Sequence, residues 1–265
     1  MNDAPWYINS LEKATSFIYS CLPSPRPSLS QLHSCKIIGH RGAHLGTTFV
    51  ENTLPGFMAL ADCGVWGVEL DIRWTKDLIP IISHDPDCKR LFKKSLVIAE
   101  TEFKQLRSEV PQIPNLAEVV LHVGGKLHLM LEIKNDPYPR PQTQAIILQS
   151  TLANLTPVVD YHFLALKPEL FEYVPFASLE SQVIVGTFNA KETSQYAEQY
   201  EYGGLAGAYP FFTKKLRHKH SNLNQKIGTG HINTKRILSQ EIAKGTDWIF
   251  SNRALTLQTW INSKS

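Results

Sequence analysis

Between Ile37 and Pro86 the chain carries four polar clusters, His40-Arg41-Gly42, Glu51-Asn52-Thr53, Glu69-Leu70-Asp71 and His84-Asp85, most of them at or just past the end of an apolar run. Glu69 and Asp71 are spaced so that, on a strand, both carboxylates face the same side. Oxygen donors of this kind suit a hard cation such as Mg²⁺ or Ca²⁺ better than zinc. A third acid, Glu132, closes the apolar run Leu129-Met130-Leu131, and Lys134 follows it on the same face. A salt bridge would account for any one of these acids alone. Three of them converging in a buried place need a cation, because an unpaired buried carboxylate is costly.

His40 and His84 each close a strand candidate on either side of the acid pair. Imidazoles titrate near neutrality, so one histidine can accept a proton from an attacking oxygen while the other supplies one to a departing oxygen. Arg41 offers a planar fork that matches phosphate oxygens, and Lys134 adds a point charge. Gly42 allows a sharp turn or a close backbone approach. Glu51 and Asn52 lie just before a helix candidate, Leu54 to Cys63, where Asn52 or Thr53 would cap free amide donors. A helix start also favours an anion, so Glu51 and Asn52 are candidates for substrate contact. The remaining histidines, including His44, His122, His128, His162 and His231, have no comparable setting and read as structural or exposed. The residue types together describe a metal-assisted hydrolase of an anionic phosphodiester.

Positioning these groups requires strands whose carboxyl ends meet. Strand candidates are Lys36 to Gly39, Val68 to Ile72, Ile79 to Ser83, Leu127 to Ile133, Phe163 to Leu166, Gln182 to Thr187, Gly204 to Ala208, Lys226 to Thr229 and Trp248 to Ser251. Between most of them fall helical patterns, over Leu54 to Cys63, Leu116 to Val123, Pro141 to Asn154, Lys191 to Tyr202 and Thr234 to Lys244. Buried strands alternating with amphipathic helices predict a parallel sheet, and 265 residues match one α/β barrel with its polar groups on the βα loops. The expected fold is a single (β/α)8 TIM barrel over residues 36–265, with a short insertion after the third strand segment. One of the nine strand candidates is expected to be surplus, and the pair at 68–72 and 79–83 is too close for a helical crossover. Residues 1–35 read as an N-terminal helix and a Pro/Ser-rich linker. Trp6, Ile8, Leu11, Ala14, Ile18 and Leu22 form the apolar face of that helix, which would cap the barrel bottom. Trp6, Tyr7, Phe17 and Tyr19 also offer an aromatic surface for peripheral membrane contact, although Lys13 is the only basic residue of the helix.

A net charge of +3 is too mild for a sequence-independent nucleic-acid binder. The basic run from Lys214 to His220 reads as a solvated segment. Cys21, Cys35, Cys63 and Cys88 show neither a zinc spacing nor a disulfide framework, so reduced thiols are expected. No apolar stretch is long enough for a conventional membrane span, and Asp3 and Glu12 interrupt the start, so a cytoplasmic location is expected.

In order and spacing the blocks resemble the glycerophosphodiester phosphodiesterase family. The match runs through His40-Arg41-Gly42, Glu51-Asn52-Thr53, the block from Gly67 to Asp71, Ile82-Ser83-His84-Asp85, the block from Ile113 to Val120 before a helix, and Leu131 to Lys134. A weaker closing strand follows at Gly245 to Ala254. The resemblance implies a TIM barrel and metal-dependent hydrolysis of glycerophosphodiesters to glycerol 3-phosphate and an alcohol. By matching position it implies His40 and His84 for acid/base chemistry, Glu69, Asp71 and Glu132 for the metal, and Arg41 and Lys134 for phosphate. It also implies that the segment after His84-Asp85, short here, helps bind the glycerol moiety. The chain departs from the family pattern in three places. No proline precedes Glu51, Gly228 to Asn233 replaces a tryptophan followed by Thr-Val-Asn, and Ser251 to Ala254 replaces Thr-Asp-x-Pro. These departures read as changes at the substrate rim, bearing on the alcohol rather than on hydrolysis. Two other functions fit the same residues: a lysophospholipase D-like hydrolase of lipid phosphodiesters, and a catalytically silent module that binds glycerophosphate groups.

Overall fold

The computed structural model describes residues 26–186 and 189–264. The helix expected over 5–22 lies outside the described residues. Strands β1 (Lys36–His40), β2 (Gly67–Trp74), β4 (His128–Ile133), β5 (Tyr161–Ala165), β6 (Gln182–Gly186), β7 (Gly204–Ala208), β8 (Lys226–Gly230) and β9 (Trp248–Ser251) are parallel to their neighbours. They close into a barrel because β1 pairs with both β9 and β2. The ninth candidate is not surplus: β3 (Pro80–Ile82) is a true strand, paired antiparallel to β2 outside the barrel. A turn suffices to join antiparallel neighbours, which is why no helix separates these two strands.

The α-helices among the described residues are α1 (Leu29–Ser34), α2 (Leu54–Asp62), α3 (Lys89–Phe92), α4 (Phe103–Glu109), α5 (Leu116–Val123), α6 (Pro141–Thr151), α7 (Ala190–Gln199), α8 (Lys214–Asn222), α9 (Lys235–Ala243) and α10 (Ala254–Asn262). Asn115 and Glu118 form a reciprocal capping box that starts α5. The basic run forms α8, in which Arg217 ion-pairs with Glu241 and His220 is buried. No helix among the described residues is long and apolar enough to cross a membrane.

Every residue of β2 is buried, as expected of a barrel strand covered on both faces. Val68, Leu70, Ile72 and Trp74 join the large core between barrel and helices. The alternate positions Glu69, Asp71 and Arg73 take the other face. On β4, Leu129, Leu131 and Ile133 likewise join the outer core, while Met130 packs with Ile38, Leu164, Val183, Ala206, Trp248 and Phe250 in the barrel interior. A third, smaller core of Ile81, Cys88, Ile98, Leu106, Val110 and Ile113 sits beneath the segment between β3 and α5. The insertion is therefore a packed unit with its own apolar anchor rather than a bare loop.

Candidate active site

Strand register assembles the site. His40 pairs with Glu69 across β1 and β2, and Asp71 pairs with Glu132 across β2 and β4, so the three acids and the first histidine meet at the carboxyl ends of adjacent strands. One carboxylate oxygen from each of Glu69, Asp71 and Glu132 lies within 4.8 Å of the others. Glu69 and Asp71 are only 2% and 1% exposed. Glu69 Oε2 accepts the Arg41 backbone N–H at 3.1 Å, while Glu69 Oε1 is buried without a hydrogen-bond partner. Burial, followed by the Asp71 and Glu132 charges, raises the Glu69 carboxyl well above its usual range. Asp71 behaves oppositely: burial would raise it, but Lys134, Arg41, His84 and a hydrogen bond from Asn52 together hold it low. A buried oxygen with no partner inside an all-carboxylate trio is what a hard cation would satisfy, so these residues fit a divalent ion.

Lys134 Nζ donates to Glu132 Oε1 at 2.7 Å and to Asp71 Oδ1 at 3.1 Å. Its ammonium is thus held against the acids, and of its three donors one remains for an incoming anion. Arg41 takes a left-handed backbone conformation, φ 56°, and so does Asn52, whose N–H donates to the Arg41 carbonyl at 2.9 Å. That bond closes the loop over residues 41–52 and brings Arg41 Nη1 to 3.2 Å from Glu51 Oε1 and Arg41 Nε to 3.6 Å from Asp71 Oδ2. Gly42, at φ 87°, continues the turn where an added Cβ would meet the Phe57 ring at 2.9 Å.

His40 Nδ1 lies 2.6 Å from Asn252 Oδ1. With the amide oxygen facing it, Nδ1 carries the proton and Nε2 keeps its lone pair, 3.7 Å from Glu69 Oε2. Burial first, then the Arg41 charge, lowers the His40 pKa against the pull of that hydrogen bond, although its side chain is 38% exposed. His84 Nδ1 faces Asp85 Oδ1 at 2.9 Å, so its Nε2 is likewise the free nitrogen. The His84 main chain is clamped by Arg73, whose Nε and Nη2 donate to the His84 carbonyl at 2.9 and 2.6 Å while Nη1 pairs with Asp136.

A cleft of about 290 Å³ brings together His40, Arg41, Glu69, His84, Glu132 and Lys134. Its far wall is mostly apolar or small, with Leu164, Leu166, Val185, Ala206, Gly230 and Phe250. Two candidate contact residues stand behind it instead. Glu51 Oε1 accepts from Arg41 and from Arg90, and Asn52 donates to Asp71 Oδ2 at 2.8 Å, so each holds another site residue, while Asn52 Oδ1 is buried without a hydrogen-bond partner. Neither Asn52 nor Thr53 caps α2 through its side chain: Thr53 stands at the cap position but donates to the Val50 carbonyl at 2.7 Å. Two residues not foreseen as site members, His231 and Asn252, do line the cleft. The change at 251–254 therefore reaches His40 itself, not only the rim. Arg73, Asp136, Asp85 and Arg90 were also not foreseen as supports. His128 and His162 are, as expected, buried and structural, hydrogen-bonded to each other at 2.7 Å at the opposite end of the barrel.

Comparison with known proteins places the chain. Residues 40–194, more than half of its length, match the glycerophosphoryl diester phosphodiesterase family. It is 31% identical over 141 residues to a glycerophosphocholine phosphodiesterase of Rattus norvegicus, a match covering 46% of this chain and 21% of that protein. It is 28% identical over 138 residues to glycerophosphodiester phosphodiesterase 1 of Bos taurus, covering 46% of this chain and 41% of that one. The chain thus spans well under half the length of these curated relatives. Among solved structures, an Oleispira antarctica phosphodiesterase in complex with the product sn-glycerol-3-phosphate superposes with a TM-score of 0.74 at 20% identity, over 87% of this chain and 98% of that one. A glycerophosphodiester phosphodiesterase from Thermotoga maritima gives 0.72 at 21% identity, over 85% and 98%. At such identities the structures speak for the shared barrel fold, and the sequence match over 40–194 identifies the chain as a member of the glycerophosphoryl diester phosphodiesterase family.

Proposed function

We propose that the chain is a metal-dependent phosphoric diester hydrolase that converts glycerophosphodiesters to glycerol 3-phosphate and an alcohol. The observation that carries this reading is the convergence, in one cleft, of three carboxylates, two cationic side chains and two histidines with free Nε2 atoms. Glu69, Asp71 and Glu132 would hold the cation, Mg²⁺ or Ca²⁺, which when bound supplies positive charge to offset that on the phosphate oxygens. Lys134 turns its remaining donor to a phosphate oxygen. Arg41, steadied by Glu51 on one side and facing Asp71 on the other, supports a second. His40 is held by Asn252 and His84 by Asp85, so each presents Nε2 as an acid or a base. Placed at two ends of one phosphate, they serve the attacking and the departing oxygen. Glu51 and Asn52 act on the substrate indirectly, by fixing Arg41 and Asp71.

A lipid phosphodiester such as a lysophospholipid is a second reading, favoured by Leu164, Leu166, Val185 and Phe250 along the far wall. The cytoplasmic location expected from the sequence belongs to the same proposal, supported by the free thiols of Cys35, Cys63 and Cys88. Released glycerol 3-phosphate and choline, measured with glycerophosphocholine or lysophosphatidylcholine and with EDTA or restored Mg²⁺ or Ca²⁺, test the proposal. Cation-dependent turnover of glycerophosphocholine, lost in His40→Ala, is expected; turnover of lysophosphatidylcholine alone would move the chain to the lipid reading. Folded, cation-loaded protein that hydrolyses neither would leave a silent binding module.

A further inference from the structure

We propose that Arg90 is a positioning residue that sets the two halves of the catalytic cleft in register, an inference that rests on the proposed phosphodiesterase reading. Its guanidinium bridges two carboxylates: Nε lies 2.5 Å from Asp85 Oδ2, and Nη2 lies 2.5 Å from Glu51 Oε1. Each carboxylate passes the contact on. Asp85 Oδ1 faces His84 Nδ1 at 2.9 Å, and Glu51 Oε1 faces Arg41 Nη1 at 3.2 Å. A chain of charged contacts thus runs from His84 through Asp85, Arg90 and Glu51 to Arg41, with only its two ends on the cleft.

The fork geometry of arginine is what makes this bridge, because two nitrogens on one rigid plane set the separation of the two carboxylates. Burial by itself would deter Arg90 from carrying charge, but its bonds to Glu51 and Asp85 outweigh that and raise its pKa. The same guanidinium holds both carboxyls below their usual values against burial. Without it, Glu51 would have Arg41 as its main cation and would draw it away from Asp71, while Asp85 would lose what fixes its rotamer under His84.

Arg90 comes from α3, a four-residue helix too short to be stable alone. Its place is set by Cys88, 1% exposed, which anchors the helix start in the small core with Ile81, Ile98, Leu106, Val110 and Ile113. The insertion after β3 therefore acts on the site through one side chain and its packing.

The test compares Arg90→Met and Arg90→Lys with the unaltered full chain in glycerophosphocholine hydrolysis. Arg90→Met is expected to lower kcat by roughly tenfold to a hundredfold, as an ångström-scale misplacement of reacting groups does, with KM changed less than about threefold. Arg90→Lys, which keeps the charge but reaches one carboxylate at a time, is expected to recover part of kcat. Adding Glu51→Gln to Arg90→Met is expected to cost little more than the worse single change, because both cut the same chain. A kcat for Arg90→Met within about twofold of the unaltered chain, or losses that add in the double variant, would overturn the proposal. Nitrogen NMR of ¹⁵N-histidine-labelled protein separates this outcome from failure of the phosphodiesterase reading. His84 should show one Nδ1–H tautomer in the unaltered chain and a mixture in Arg90→Met, whether or not the diester turns over; an unchanged His84 signal would count against positioning even if activity is absent.

Discussion

Glu69→Gln should make the metal-free protein more stable and abolish its stabilisation by a divalent cation. Oxygens of Glu69, Asp71 and Glu132 within 4.8 Å of each other repel by about 3 kcal/mol per pair at an effective dielectric of ~20. Lys134, at 2.7 and 3.1 Å, offsets much of this for Glu132 and Asp71 but has no direct contact with Glu69. Glu69 Oε1 is left buried with no donor. A glutamine keeps an oxygen for the Arg41 N–H and turns an amide donor toward the neighbouring acids. The expected gain is of order 1–2 kcal/mol, which in a domain of this size is about 2–8 °C in Tm. In the unaltered chain, a cation at about a hundred times its Kd should add about 2.7 kcal/mol, or roughly 5–10 °C.

The sign of the pH dependence follows from the same residue. Because the folded Glu69 carboxyl is raised, by burial and then by Asp71 and Glu132, its contribution is fully present below the unfolded pKa and is lost as pH rises through the folded one. The metal-free unaltered chain should therefore lose ground to Glu69→Gln as pH rises above about 4.5, and match it in more acid solution. Scanning calorimetry of both proteins, with EDTA or with Mg²⁺ or Ca²⁺, reads all of these effects. A metal-free Glu69→Gln protein less stable than the unaltered one, or one that still gains Tm with the cation, would refute the reasoning.

Other expectations follow from single contacts. Asn252→Ala removes the 2.6 Å partner of His40 Nδ1, and should lower kcat by about tenfold with little change in KM while Asn252→Asp retains more activity, as steady-state kinetics would show. Arg73→Met strands the Asp136 carboxylate and the His84 carbonyl, a loss of about 3–5 kcal/mol by urea unfolding if the buried pair behaves as others do. At the barrel bottom, burial lowers His128 to about 4 and His162 to about 3. These groups bind protons more readily when unfolded, so together stability should fall by about 5 kcal/mol between roughly pH 6.5 and 4. Urea unfolding across that range should show a shallower slope in His162→Phe; an unchanged slope would place the acid sensitivity elsewhere.

The barrel was legible because strands such as β2, β4 and β5 are buried on both faces, so each appears as a mostly apolar run. Within such a run Glu69 and Asp71 stand out, since the alternate positions Val68, Leu70 and Ile72 carry the outer core. β3 was found, but its place outside the barrel was not: a short apolar run shows burial, while its antiparallel pairing with β2 depends on the turn at 75–79. Helices α1, within the segment expected to be a linker, α3, α4, α8 and α10 were not placed, and α8 illustrates why. Its sequence is mostly polar and basic, and what holds it is the Arg217–Glu241 pair reached across the fold.

The candidate reacting groups were legible for a similar reason, because histidines and acids at strand ends are conspicuous, whereas the residues that contact them are not. Asn252 lies 212 positions from His40, and only barrel closure makes them neighbours. Arg90 is one cation in a stretch with Lys89, Lys93 and Lys94, and nothing local distinguishes it from a solvated side chain. Glu51 was noticed but assigned outward to the substrate, because the sequence does not show that Arg41 and Arg90 already claim it.

The most direct test of the account is ³¹P NMR of glycerophosphocholine incubated with the cation-loaded protein in water enriched in ¹⁸O. The account predicts that the diester resonance gives way to glycerol 3-phosphate carrying an ¹⁸O isotope shift, with no change when EDTA is present from the start. A persistent diester signal with folded, cation-loaded protein, or phosphocholine as the product, would contradict it.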